Sequence, residues 1–455
     1  MNKKAIDKLW LVANKVRGRF EIFELYKVML CALFLRYVEL KNDKRVEENA
    51  AFLSYDDKFS LGYLALTYGK MIYALDVLNY VAKVETELGI DENVISSEMY
   101  RLFERADEES IRIIFTAVNE IQVEGIDDLY QIAEYILYRF SVSGGKTTAE
   151  VTTNPSLSKL EGRLLECQED MLVYDGFCGC GLSVNEVANQ KGIVYIQDVN
   201  ASTIAIATIV TLLKGNKVGT IKCGDSLLNP LNGIKFDRIV CEPPFMPRYT
   251  KDYLQSVLET ELVFYGDDFD SESLALRHVL AHLKTDGVAA VLVPTGMLFK
   301  SGRTGGIREK LVCDKYIEAV IEFPSGLMPA TGVSTALLIL KKDKADDVVC
   351  MINAKSFFHK VEKKQLMLSE ESIDKIVEIY RNKECIEGIS NHVSVKEIAD
   401  NDFNLCTTQY VLQKPEETIV IGNISKYNEE YKRLTQNLKK IDDNLDKIRG
   451  RWMQQ

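Results

Sequence analysis

The sequence predicts an α/β protein: a parallel or mostly parallel sheet with crossover helices, preceded by an all-helical region and followed by one long heptad helix. Three observations carry this. Residues 1 to roughly 145 place apolar side chains at helical spacing and contain no proline, the first being Pro155. From about residue 170, short apolar runs of strand length alternate with helical segments. Near the end, eight apolar residues advance by alternating threes and fours. The expected domains are an N-terminal helical domain over 1–145, an α/β domain over 146–412 and a C-terminal coiled-coil helix over 413–455.

The helical region is read from positions such as Ile22, Leu25, Val28 and Met29, followed by Leu33 and Tyr37, which share one helix face. Residues 141–146, SVSGGK, join small residues to a glycine pair and form the expected joint. The central region runs through MLVYD, IVYIQD, FDRIVCEPPF, VAAVLVPTG, IEAVIEFP and TALLILKK, several ending at Asp, Glu or Pro. Ligands of open parallel sheets lie beyond the carboxyl ends of the strands, so the residues just after these runs are the place to look. In the tail, Ile424, Tyr427, Tyr431, Leu434, Leu438, Ile441, Leu445 and Ile448 make an unbroken a/d seam with charges between. So narrow a seam requires another helix, either of its own domain or of a partner.

A chain of 455 residues that is 46% hydrophobic exceeds one average domain and has material for a large core. It contains no run of eighteen apolar residues, so no membrane span is expected. The opening MNKKAIDKLWLVANKVRGRF is charged and amphipathic, without the apolar stretch and small-residue cleavage site of a signal peptide. Ten scattered cysteines with no CxxC pair read as reduced, mostly buried thiols, and a cytoplasmic protein is expected. The net charge of −11 argues against an autonomous nucleic-acid binder. The ends are nevertheless basic: residues 1–50 hold eleven Lys/Arg against seven Asp/Glu, and residues 426–451 eight against five. Solvated helix faces explain that imbalance as readily as a partner does.

The chemistry begins at Tyr174-Asp175-Gly176-Phe177-Cys178-Gly179-Cys180-Gly181, which follows an apolar strand and precedes a helical segment. Gly179 and Gly181 let the backbone turn tightly and approach a ligand. Alone, such a turn serves a dinucleotide, a methyl donor or nothing but the turn. Asp198 ends the next strand 17 residues after Gly181, where a carboxylate can accept both ribose hydroxyls of a nucleoside cofactor. Asp225-Ser226-Leu227 ends a third segment, where an acid can accept from an adenine amino group. Either Asp taken singly reads equally as a helix N-cap. The fourth element leads into Glu242-Pro243-Pro244-Phe245. The prolines fix φ and leave carbonyls free as acceptors. An acceptor side chain, a proline carbonyl and an aromatic ring suit an exocyclic amino group and the base that carries it.

This set resembles the amino-methylating DNA methyltransferases, whose catalytic motif is Asn, Asp or Ser followed by Pro-Pro and Tyr or Phe. The Asp-x-x-Cys-Gly-x-Gly turn is similar to the adenine-N6 branch. Residues 9–40, 286–342 and 351–411 resemble in order the opening helices, late sheet and closing segment of the methylation subunit of type I restriction–modification systems. The resemblance implies a class I (Rossmann-like) methyltransferase core and S-adenosyl-L-methionine as cofactor. It implies binding through Asp175, Phe177, Gly179, Gly181, Asp198, Asp225, Ser226 and Leu227. It further implies an adenine flipped from double-stranded DNA, stacked on Phe245, with Glu242 and the Pro243 carbonyl accepting its N6 hydrogens and Pro244 completing the motif. No metal is required. The implied partners are a DNA-specificity subunit, a second copy of the chain and a restriction subunit, since no domain-sized segment remains to read DNA sequence.

Two departures stand out. The family's acceptor is short, whereas Glu242 adds a methylene. The family's Phe/Tyr-Thr-Pro segment is replaced by Val151-Thr152-Thr153-Asn154-Pro155, in which Thr153 takes the place of the cofactor-binding threonine. Glu242 also supports the alternative of a catalytically impaired, methyltransferase-fold scaffold in a defence complex. A nicotinamide-dependent oxidoreductase fits poorly, because the turn lacks a third spaced glycine and Glu-Pro-Pro-Phe has no role there. Of the remaining features, His278 and His282 have zinc-compatible i, i+4 spacing but no evident third ligand, and read as a surface or satisfied helix pair. Cys178 and Cys180 read as structural. Gly302, Gly305 and Gly306 with Arg303 and Arg308 read as a loop, either plain or beside DNA phosphates.

Overall fold

The computed structural model describes residues 3–16, 18–19, 22–47, 56–90, 93–143, 152–245, 249–258, 273–328, 332–361, 366–411 and 428–441. The chain forms two compact units, Met1–Val411 and Leu412–Gln455.

The first unit opens with α1 (Lys3–Val16), α2 (Ile22–Glu47), α3 (Leu61–Thr67), α4 (Ala74–Glu87), α5 (Val94–Arg105), α6 (Glu108–Asn119) and α7 (Ile126–Ser143). The predicted face holds, with Leu25, Val28, Met29, Leu33 and Tyr37 buried, but burial goes further. Every residue from Val28 to Leu35 is at most 1% exposed, so α2 is enclosed on all sides. A helix apolar all round is one that others surround. The same core takes in Ile206, Ile209, Val210 and Leu213 of α10 (Ala201–Lys214), so the helical region packs on this crossover helix, while the strands bury their side chains in separate cores on the two faces of the sheet. Of the expected joint, residues 141–143 belong to the end of α7, and 144–146 lie outside the described residues.

The six apolar runs are all strands. They supply β1 (Leu172–Asp175), β2 (Ile193–Asp198), β4 (Phe236–Cys241), β5 (Leu283–Pro294), β6 (Ile317–Glu322) and β7 (Thr335–Lys341). With β3 (Lys217–Cys223), β8 (Val348–Asn353) and β11 (Ser390–Ser394) they form one sheet in the order β11-β8-β6-β7-β5-β4-β1-β2-β3. Strands β1 to β5 run parallel, β7 lies antiparallel between β5 and β6, β6 is parallel to β8, and β11 closes the edge antiparallel. A small hairpin, β9 (Phe358–Lys360) and β10 (Leu366–Leu368), stands apart. The chain winds outward from β1 to β3, then returns to place β4 on the other side of β1. That reversal opens a crevice at the carboxyl ends of β1 and β4, where open α/β sheets bind ligands. Two helices frame it: α8 (Pro155–Leu165), capped by the Asn154 side chain with Pro155 at its first position, and α9 (Leu182–Ala188), which begins at Gly181.

One expectation changes. The glycine and arginine cluster is no loop: after α11 (Lys251–Leu258) and α12 (Leu274–His282) comes helix α13 (Arg303–Cys313). Its Arg308 is 5% exposed and donates to the carbonyls of Phe403 (2.6 Å), Lys300 (2.8 Å) and Met297 (3.1 Å). Arg308 ties chain segments together and does not face phosphate. The histidines lie buried on α12, with His278 Nε2 3.0 Å from the Tyr174 hydroxyl and His282 Nδ1 2.8 Å from the His278 carbonyl. Burial pushes the His278 imidazole well below its ordinary range and His282 to about 4, so both are neutral. Among the described residues no cluster of three potential metal ligands exists, and no helix is long and apolar enough to cross a membrane.

In the second unit, residues 428–441 are one helix. Its seam side chains Tyr431, Leu434, Leu438 and Ile441 are each more than half exposed. The seam positions Ile424, Tyr427, Leu445 and Ile448 lie outside the described residues.

Candidate active site

The glycine-rich turn is built from backbone bonds that its sequence makes possible. Asp175, at the end of β1, is 2% exposed and accepts the Phe177 amide at 2.9 Å. Gly179 and Gly181 take φ of 50° and 78°, and the Gly179 amide donates to Asp198 Oδ2 at 3.1 Å. A Cβ on Gly181 would meet the Ala207 Cβ at 3.1 Å, so position 181 needs glycine for both conformation and space. Asp198 Oδ1 accepts the Asn200 amide at 2.9 Å. Both strand-end acids thus brace their loops with backbone bonds, and Asn200 rather than Asp198 caps the helix that follows β2. Cys178 and Cys180 are buried; burial pushes the Cys178 thiol well above its ordinary range and the Cys180 thiol to about 12, which suits inert structural thiols.

Asp225 is held similarly. Its Oδ1 accepts the amides of Leu227 (2.9 Å) and Leu228 (3.3 Å), and its Oδ2 accepts the Tyr253 hydroxyl at 2.8 Å. Tyr253 stacks on Tyr249, with ring centroids 4.4 Å apart. Ser226 and Leu227 are buried beside it. Phe177, Leu227, Pro243, Pro244 and Phe245 line one pocket, together with Tyr249 and the end of β5. Five of the predicted residues, drawn from three separate segments, therefore meet around a single opening.

Glu242 adjoins this pocket on the α8 side. The Thr153 hydroxyl donates to its Oε2 at 2.9 Å and the Ser183 hydroxyl to its Oε1 at 2.7 Å. The extra methylene relative to a shorter acceptor is taken up by this two-point anchorage. The residue's surface is only half-buried, yet its carboxyl is hemmed in by protein at the crevice wall. Burial raises it to about 7 against the two hydroxyl donors, which favour the charged form. Asp175 is pushed well above the carboxylate range, first by burial, with the charges of Glu242 and Asp198 adding to it. The crevice thus gathers carboxyls from β1, β2 and β4.

Four contributors escaped the sequence reading. Ser183, one helical step beyond Gly181, carried no motif signal. Glu161 is wholly buried on α8, and its only sequence sign is an acid within the apolar stripe Leu157, Leu160, Leu164 and Leu165. Tyr249 and Tyr253 follow the catalytic-motif candidate but lay in a stretch without periodicity.

Comparison with known proteins gives this geometry a family. The model of the family N-6 DNA Methylase matches residues 124–418. The type I restriction enzyme MjaVIII methylase subunit of Methanocaldococcus jannaschii is 26% identical over 93% of this chain and 82% of its own length. The MpnII methylase subunit of Mycoplasma pneumoniae is 23% identical over 90% of this chain and 89% of its own. The crystal structure of the type I restriction–modification system methyltransferase subunit from Streptococcus thermophilus shares the fold with a TM-score of 0.69 at 20% identity, covering 89% of this chain and 98% of that one. A chain solved to explain complex assembly and conformational transition of the type I R-M system superposes with a TM-score of 0.66 at 17% identity, over 98% and 99%. With the family model spanning well over half of its length, the chain belongs to the N-6 DNA methylase family.

Proposed function

We propose that this chain is the methylating subunit of a type I-like restriction–modification system. In this reading it transfers a methyl group from S-adenosyl-L-methionine to N6 of an adenine flipped out of double-stranded DNA. A separate specificity subunit reads the sequence, and a second copy of the chain and a restriction subunit join the assembly. The observation that carries it is the meeting of Pro243, Pro244 and Phe245 with Phe177 of the glycine-rich turn around one pocket at the sheet's switch point, with Glu242 held beside it by Ser183. Family membership and the whole-length likeness to methylase subunits support the same reading.

The crevice suits a cationic sulfonium donor. Carboxyls gather at the ends of its strands: Asp198 after β2, Asp225 after β3 and Glu242 after β4. A diphosphate would meet these acids unfavourably. Asp198 and Asp225, with Phe177, Gly179, Gly181, Ser226, Leu227 and Thr153, are the residues to hold the donor, Asp175 bracing the turn beneath. When bound, S-adenosyl-L-methionine supplies an electrophilic methyl group. Phe245 stacks on the flipped base, and the Pro243 carbonyl accepts one amino hydrogen. An ionised carboxylate has about four acceptor sites, so Glu242 retains capacity for the second hydrogen after binding Thr153 and Ser183. Fixing both hydrogens aims the nitrogen lone pair, and positioning supplies most of the acceleration expected of such a site.

One observation favours a second reading. Glu242 is already anchored by two hydroxyls, as it would be in a scaffold that keeps the fold without the chemistry. Incubating the purified partner complex with labelled donor and mixed DNA separates the two. Label in N6-methyladenine supports the enzyme, whereas donor binding with no transfer to any DNA supports the scaffold.

A further inference from the structure

Behind Glu242 lies a second carboxyl without ordinary stabilisation. Glu161 is 0% exposed, and neither of its oxygens has a hydrogen-bond partner among the described residues. It sits one turn beyond Ser158 on α8, and the Ser158 hydroxyl lies 3.0 Å from that of Ser183, the donor to Glu242. The chain of contacts therefore runs from α8 through Ser183 to the acceptor. The groups facing Glu161 are Glu242, the Ser183 hydroxyl, whose hydrogen is given to Glu242, Asp175 and the Cys241 thiol. The basic residues of α8 face elsewhere, Lys159 pairing with Glu370 and Arg163 with Glu370 and Asp374. An unpaired carboxylate cannot persist in such a place, whereas a neutral acid can.

We propose that Glu161 is a positioning residue that forms with Glu242 a carboxyl pair carrying one negative charge, so that the proton released by methylation of the target amine comes to rest on Glu242. The inference rests on the reading of position 242 as the amine's acceptor. In the proton step, an N–H bond of the methylated amine breaks and its electron pair stays on nitrogen. The proton bonds to a Glu242 oxygen, and the pair becomes neutral. A neutral pair is the form that burial favours, first for Glu161, pushed well above its ordinary range, and then for Glu242. An amide at position 242 could align the amine but could not take this proton. Above the pH at which Glu161 also ionises, two charges would repel across the Ser183 contact and Glu242 would lose its placement.

The test uses Glu161→Gln and Glu161→Met in the full chain with its partner complex. The first readout is thermal stability against pH, which needs no activity. Glu161 holds its proton in the folded state, so the stability tied to that proton is complete below its ordinary value of 4.5 and is lost as pH rises through the folded value. Both variants should therefore match the wild type near pH 4 and exceed it increasingly at pH 7 to 9. The second readout is the pH profile of methyl transfer. Wild type should show an acid and an alkaline limb, and Glu161→Gln should lose the alkaline limb while keeping donor affinity. Stability gaps that do not change with pH in either variant overturn the pair. A pair that titrates as expected in a complex that transfers no methyl at any pH overturns the enzymatic reading, and with it the role in proton release.

Discussion

At the scale of single residues, Glu242 decides most. Its carboxyl should be fully charged only above about pH 7, so acceptance of the amine should fail on acidification. Methyl transfer is expected to fall as pH drops through about 7, measured at saturating donor. Glu242→Asp shortens the side chain, keeps a carboxyl and leaves the Pro243 carbonyl untouched, so transfer should hold level or rise. Glu242→Ala removes the acceptor and frees Thr153 and Ser183; a loss of about 10²–10³-fold is expected, the scale for one preorganised contact at a reacting group. Transfer by Glu242→Ala at the wild-type rate would place position 242 outside the chemistry. Asp198 is tested by binding. Asp198→Ala should weaken S-adenosyl-L-methionine affinity by roughly 1.5–3 kcal/mol, the worth of hydrogen bonds to a charged group. Because Asp198 also braces the Gly179 and Asn200 amides, part of that loss belongs to the turn. Calorimetry showing unchanged affinity in a folded Asp198→Ala protein removes the residue from the donor site.

At the scale of elements, the contact of α8 with α9 fixes Glu242, the proposed acceptor, because Thr153 precedes one helix and Ser183 lies in the first turn of the other. The helices approach so closely that a Cβ on Gly162 would lie 2.6 Å from the Glu186 carbonyl oxygen. Two effects oppose each other in Gly162→Ala. Helix propensity would gain up to ~1 kcal/mol, while overpacking against rigid backbone costs typically about 1–3 kcal/mol. The clash should win, and denaturant unfolding should show net destabilisation together with weaker methyl transfer. A stabilised variant would mean that the helices separate freely. Elements were also where the sequence was most and least legible. The six apolar runs announced themselves because strands buried on both faces are continuously hydrophobic. Strand β3 alternates with much exposure at the sheet edge, and β8, though buried, follows the charged stretch 341–347. The motif residues were legible because turn chemistry demands glycine and proline. Glu161, Ser183 and Tyr253 were not, since their significance lies in contacts with residues 28 to 81 positions away that no local pattern encodes. The glycine and arginine stretch misled for a related reason: Arg308 is buried by carbonyls from distant segments, and only the fold supplies them.

At the scale of the whole molecule, the net charge of −11 and the carboxyl-lined crevice leave little intrinsic attraction for DNA, whose binding depends on cationic contacts with phosphate. In the proposed assembly, DNA affinity would then come largely through partners, and the tail is the element suited to recruiting them. Across the described turns its seam side chains Tyr431, Leu434, Leu438 and Ile441 are exposed, with lysines, arginine and glutamates around them. Apolar residues repeated at a/d spacing gain their stability only by interlocking with a second helix. Leu434→Glu combined with Leu438→Glu places two carboxylates in the centre of that seam. The helix itself should survive, since glutamate is a good helix former, but a partner helix would have to bury the charges. Co-purification with the specificity subunit should therefore be lost, while donor binding by the Met1–Val411 unit persists. Retained donor affinity separates lost assembly from general misfolding. A complex that survives both substitutions intact would assign the seam to the chain's own interior and the partner interface to another surface.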